Sequence, residues 1–176
     1  MGTNMINWQS IDNKIFEDIA YDYMMGNYPD LEWTKTKLTN DGNKDGERVI
    51  SNLPFNTTIK YWYEAKYTVN TQKSIPKSHL DSTLVSSLLD GRVVVIAFIT
   101  NAYISDDYKR RADIFAKRRD NLQIYYINGE EIENWLSENP EIEERYFKTH
   151  IAQKIEYVDK IEEACFLDKY NNDTDS

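Results

Sequence analysis

The chain has 176 residues, 40% of them apolar and 13% aromatic, which suits one packed domain with a core of its own and excludes a disordered chain. Its longest apolar run, Val93 to Ile99, is far too short to cross a bilayer, the first residues lack the pattern of a signal peptide, and a single cysteine, Cys165, excludes an internal disulfide or a cysteine-built zinc site, so a cytoplasmic protein with no membrane contact is expected. The net charge of −9 is concentrated: 14 acidic residues face 5 basic ones from Glu130 onward, leaving 16 of each before it, and the overall sign therefore does not exclude a phosphate-binding surface in the first three quarters.

In chain order, Trp8, Ile11, Ile15, Phe16, Ile19 and Tyr23 recur at three- and four-residue steps. This is the stripe of an amphipathic helix, closed by Gly26 and Pro29 and capped by Asn7 or Ser10. The alternation from Leu31 to Leu38 predicts a strand. NDGNKDG, Asn40 to Gly46, is dense in turn formers and reads as a loop or tight hairpin, with a short strand following at Glu47 to Ile50. TTIKYWYEAKYT, Thr57 to Thr68, is rich in β-branched and aromatic residues and predicts a long strand.

A helix follows over Lys77 to Leu89, ended by Gly91. RVVVIAFIT, Arg92 to Thr100, is almost wholly apolar, the pattern of a strand covered on both faces. Asp106 to Arg119 reads as a charged helix with Tyr108, Ala112, Phe115 and Ala116 inward. Leu122 to Ile127 reads as a last strand, NGEEIENWL as a turn leading into a short helix, and Glu141 to Leu167 as an acidic helix before a polar tail. Alternating strands and helices in the second half imply an α/β fold: a central mixed sheet of four to five strands flanked by helices.

The chemistry concentrates at the loop ending in Asp45-Gly46 and the strand carrying Glu64-Ala65-Lys66. Alternate side chains on a strand share a face, so Glu64 and Lys66 project together while Ala65 turns into the packed side. Two carboxylates converging from adjacent segments suit Mg2+, which takes hard oxygen ligands, polarises a phosphoryl oxygen and acidifies water. A lysine beside them can orient that water or offset charge on the phosphate.

FEDIAYDYM, DGNKDG, YWYEAKY, VVVIAFITNAYIS and IYYINGEEIENWL occur in this order. Together they resemble the Mrr-like restriction endonuclease branch of the PD-(D/E)XK nucleases, over about Ser10 to Leu136. The resemblance implies a restriction-endonuclease-like core over residues 1–138, with 139–176 as an acidic helix and tail of the kind that links to a further domain. It implies that Asp45 and Glu64 hold the metal with the backbone carbonyl of Ala65, that Lys66 assists the attacking water, and that Glu17 on the first helix reaches the metal site. Many Mrr-like members carry glutamine where Glu64 stands, so this chain has the more general form, and Asn43-Lys44 departs from the usual glycine and apolar residue.

The implied function is Mg2+-dependent endonucleolytic cleavage of DNA, with Mn2+ able to substitute, as the effector module of a prokaryotic restriction or antiphage defence protein. A homodimer or higher oligomer and a fused sensor or recognition domain are the partners that such a module implies besides DNA. Lys73, Lys77 and His79 follow the catalytic strand as candidate nucleic-acid contacts, though the same residues suit a polar loop entering a helix. Asp41 reads as a turn former, and Lys109, Arg110, Arg111, Lys117, Arg118 and Arg119 as a solvated helix face. The alternatives are a non-catalytic DNA-binding or assembly module with the same fold, and a nuclease acting on RNA.

Overall fold

A computed structural model of the chain describes residues 6–36, 44–119 and 121–148. The first apolar stripe forms helix α1, Asn13–Asn27, and Asp12 caps it by accepting the Ile15 N–H at 2.9 Å. Asn7 and Ser10 do not cap this helix. Ile11 is extended (φ −116, ψ 170) and splits the stripe, so Asn7 caps a separate 3-10 turn, Trp8–Ser10. The strand predicted from Leu31 is also shorter. Pro29–Leu31 is a 3-10 turn and Glu32 adopts a left-handed conformation with φ 44, so the extended chain begins only at β1, Thr34–Lys35. Most of the glycine-rich loop, including Asp41, lies outside the described residues, as does the acidic segment beyond Lys148.

β2, Gly46–Leu53, runs three residues past the Ile50 end expected for it, and the later elements follow the sequence closely: β3, Thr57–Lys66, α2, Lys77–Leu89, β4, Val93–Thr100, α3, Asp106–Lys117, and β5, Gln123–Ile127. Helices α4, Gly129–Glu138, and α5, Pro140–Glu143, complete the described chain with a π-helical turn at Glu144–Lys148. Glu131 closes α4 back on itself by accepting the Asn128 N–H at 2.8 Å.

The five strands form one sheet in the order β1-β2-β3-β4-β5. The first two pairings are antiparallel and the last two parallel. Right-handed β-α-β crossovers in one direction place successive helices on the same face, and α2 and α3 duly share one side. Leu80, Leu84, Tyr108 and Ala112 pack there on Trp62, Ile96 and Phe98. The alternate residues Tyr63, Ala65, Ala97 and Ile99 face the other way and meet Phe16, Ile19 and Tyr23 of α1 and Ile132, Trp135 and Leu136 of α4. The expected α/β architecture with a mixed sheet flanked by helices is what the chain adopts. Phe147 packs on the Trp8 ring at 5.5 Å, and Tyr146 donates to Asp22 of α1 at 2.7 Å, so the packed body continues to the end of the described chain.

The carboxyl ends of β3 and β4 are tied together at one rim. Asn101, buried at 2% exposure, accepts the Thr68 N–H at 2.9 Å and donates to the Thr68 carbonyl at 2.7 Å. The rim also holds the start of α4, where Gly129 donates to the Ala102 carbonyl at 2.8 Å. A β-carbon on Gly129 would lie 2.4 Å from the Asn101 carbonyl oxygen, backbone that cannot yield cheaply. Gly129→Ala is therefore expected to destabilise the fold by about 1–3 kcal/mol, read as a lower urea midpoint at unchanged slope.

Candidate active site

The β2–β3 ladder begins at Gly46, opposite Tyr63. Beyond that pair β3 continues through Glu64, Ala65 and Lys66 with β4 beside it but, among the described residues, no strand on the β2 side. The backbone there needs an acceptor, and Asp45 supplies it: its carboxylate takes the Ala65 N–H at 2.6 Å, while the Asp45 N–H donates to the Tyr63 carbonyl at 3.0 Å. One side chain thus extends the ladder by a residue and is held against the strand bearing Glu64 and Lys66. Gly46 is required beside it, because the Tyr63 ring occupies the place of any β-carbon, at 2.1 Å.

Lys44 secures the other flank. Its ammonium pairs with Glu47 at 2.9 Å and lies 4.5 Å from the Trp62 ring centre, a cation–π contact. Trp62 in turn donates to Glu47 at 3.2 Å. Lys44 is thus an anchor for the segment that carries Asp45.

Glu64 is 3% exposed. One of its oxygens pairs with the Lys66 ammonium, and the other, Oε2, has no hydrogen-bond partner. Burial, then the neighbouring Asp45 charge, drive its pKa from 4.5 up to about 8, against the pull of Lys66. Burial also raises Asp45, opposed by the Ala65 N–H and by Lys66 and Lys35. Glu17 on α1 joins the same electrostatic group. Burial and the Asp45 charge raise it, while a hydrogen bond from Asn13 at 2.7 Å and the charges of Lys35 and Lys66 lower it. The segment leading into α1 is tied to this rim by Tyr67, whose hydroxyl donates to the carbonyls of Trp8, at 2.7 Å, and Ile11, at 3.0 Å.

Three carboxylates and two ammonium groups therefore act on one another at the carboxyl rim. Among the described residues no three Asp, Glu, His or Cys side chains stand close enough to cage a cation by themselves. A cation sharing two carboxylates with water and substrate oxygens is the arrangement typical of Mg2+. The donor set fits such a group: an unpartnered buried carboxylate oxygen beside a second carboxylate is costly without a cation.

Ala65 turns its side chain into the α1 core, as the alternation requires, at 4% exposure. Lys73, Lys77 and His79 are all exposed. The loop that carries Lys73 is held on the same rim by a bridge between Ser74 and Tyr103, while Lys77 is paired with Asp107 of α3. The basic residues of α3 are in part similarly engaged, Arg110 and Arg111 with Asp107, and Arg119 with the Ser87 carbonyl at 2.6 Å.

Two residues of the site escaped the sequence reading. Lys35 acts on Glu17 and Asp45, and the buried Tyr63 hydroxyl, which has no partner, interacts with Asp45 and Glu17. Lys35 did leave a trace: it shares alternation parity with Leu31 and Trp33, a lysine where the inward pattern calls for an apolar residue. A hollow of about 280 Å3 among Tyr28, Trp33, Tyr61 and Tyr125 has no carboxylate or ammonium in its lining.

No protein-family model and no curated protein matches the sequence. Among solved structures the chain is similar to MspJI restriction endonuclease in complex with a 27-mer oligonucleotide, at 12% identity and a TM-score of 0.45, over 74% of this chain and 27% of that one. It is also similar to the DNA modification-dependent restriction endonuclease AspBHI, at 14% identity and a TM-score of 0.46, over 82% of this chain and 40% of the other. The chain thus spans well under half the length of either protein.

The raised pKa of Glu64 has a measurable consequence. A carboxyl at about 8 in the folded chain and 4.5 when free keeps a proton that the unfolded chain gives up. Its stabilising contribution is full below about pH 4.5 and is lost as pH rises through about 8. In EDTA, the melting temperature of the wild type is expected to fall relative to that of Glu64→Gln across this window. Thermal melts of both proteins at a series of pH values check this; parallel curves would contradict it.

Proposed function

We propose that this chain is a metal-dependent nuclease that hydrolyses phosphodiester bonds in DNA. The observation that carries the reading is the Asp45–Glu64–Lys66 cluster, in which a buried carboxylate keeps one oxygen free beside a second carboxylate and an ammonium. Strongly shifted carboxyls with a specific charge partner are a mark of functional sites. An acidic pair with one lysine, at the open carboxyl ends of parallel strands, matches the needs of phosphoryl chemistry more closely than those of a structural ion pair.

In this reading Asp45 and Glu64, with the Ala65 carbonyl, hold Mg2+, or Mn2+ in its place, and the cation supplies charge compensation for the phosphoryl oxygens and a more acidic water. Asp45 is oriented by the Ala65 N–H, so its position does not depend on the cation. Lys66 lies beside the Glu64 oxygen and is placed to orient the attacking water or to offset negative charge developing on the phosphate. Glu17 adds a third carboxylate from α1, coupled to Asp45 and Lys66. Lys73, on the loop held at the same rim, is available to the nucleic-acid backbone, and His79 and Lys77 lie at the entry to α2, the latter once released from Asp107. A role as the cutting module of a prokaryotic defence protein belongs to the same proposal and rests on the motif resemblance.

Supercoiled plasmid incubated with Mg2+ or Mn2+ tests the reading. The wild type is expected to nick or linearise it, EDTA to stop the reaction, and Asp45→Ala and Lys66→Ala to lower the rate by about 100-fold or more while keeping the wild-type circular dichroism. Full activity in either variant would remove the assignment. Tight binding of DNA without metal and without cutting would identify a binding or assembly module, and preferential competition by RNA would move the substrate class.

A further inference from the structure

The charge that the catalytic reading leaves unused is Lys35. Its strand β1 is two residues long and pairs only with the start of β2, Lys35 standing directly opposite Gly46 and Thr34 opposite Glu47. The next residue, Thr36, donates its N–H to the Asp45 carbonyl at 2.9 Å and its hydroxyl to the Lys44 carbonyl at 2.7 Å. Lys35 is therefore fixed one strand away from Asp45, in the cross-strand row that runs Lys35, Gly46, Tyr63. Residues in one such row share a face, here the α1 face, where Gly46 presents no side chain of its own.

On that face the Lys35 ammonium pairs with Asp18 and lies 5.5 Å from the centre of the Tyr21 ring. Its side chain is 42% exposed and that of Asp18 38%, and a pair so open to water contributes little to stability. Asp18 is thus an exchangeable partner. The Lys35 charge is also felt at Asp45 and Glu17, which sets the ammonium at the edge of the acidic cluster. A polyanion approaching Asp45 and Glu64 meets carboxylates first unless a cation stands at their margin. Lys66 is already committed to Glu64.

We propose that Lys35 is a nucleic-acid-binding residue that exchanges Asp18 for a backbone phosphate flanking the one that reacts. The inference rests on the nuclease reading and extends it: the strand being cut enters across the α1 edge of the site, between Lys35 on β1 and Lys66 on β3. Lys35 binds and steers the substrate, and it takes no part in bond breaking.

Fluorescence anisotropy of a labelled duplex in EDTA, at several salt concentrations, isolates binding from cleavage. Wild-type affinity is expected to fall linearly on logarithmic axes, and in Lys35→Ala the magnitude of the slope is expected to decrease by about 0.9, the change for one phosphate contact on B-DNA. Lys35→Arg keeps the wild-type slope, and Asp18→Asn, which frees the ammonium, tightens binding at low salt. A merely structural role for Lys35 would alter the melting temperature without touching the slope. An unchanged slope in Lys35→Ala overturns the inference even if cleavage falls. A wild-type chain that neither binds the duplex nor cuts it with Mg2+ removes the nuclease reading itself, and the inference with it.

Discussion

The hydrogen bond from the Ala65 N–H to the Asp45 carboxylate joins the fold to the chemistry. A strand that outruns its neighbour leaves backbone donors with nothing to bond, and buried donors of this kind are costly. Here the residue just before β2 fills the gap with its side chain, at 2.6 Å. The same contact that completes the sheet brings a carboxylate against the strand that carries Glu64 and Lys66. Gly46 and Lys44 support it from either side, the first by leaving room for the Tyr63 ring and the second by clamping onto Glu47 and Trp62.

The site also depends on the change of strand direction within the sheet. β3 has an antiparallel neighbour on one side and a parallel one on the other. Its carboxyl end therefore lies beside both the start of β2 and the end of β4, and the crossover helices α2 and α3 cover only one face. The other face receives α1, and the segment leading into it is tied to the rim by Tyr67, which donates to the Trp8 and Ile11 carbonyls. Residues from β1, β2, β3 and α1, far apart along the chain, reach one another there. Their charges do not balance pairwise: even with Lys66 on one oxygen, Glu64 leaves its Oε2 without a hydrogen-bond partner and its pKa is pushed up to about 8. A protein selected for stability alone would replace such a group with an apolar one.

Much of this was legible in the sequence. The near-continuous apolar run at Val93–Thr100, the aromatic and β-branched run before Lys66 and the bounds of α2 depend on local pattern, and the structure reproduces them within a residue or two. The adjacency of Glu64 and Lys66 follows from strand alternation alone. The exceptions have local causes too: an extended Ile11 splits the first stripe, and left-handed Glu32 shortens β1. Periodicity averages over several residues and is blind to a single backbone reversal.

What the sequence by itself determined were the element types and the strand face that bears Glu64 and Lys66, because these rest on contacts between near neighbours or on periods of two and 3.6 residues, while the candidacy of Asp45 came from the order of motifs and the resemblance they carry. The burial of Glu64, the partner chosen by Asp45, the anchoring role of Lys44 and the arrival of Lys35 at the acidic cluster were decided only by the tertiary structure. Each depends on which strand ends first and which helix covers which face, a matter of sheet register and packing between segments remote in the chain. Electrostatic shifts follow the resulting burial and distances, and no one-dimensional pattern encodes those.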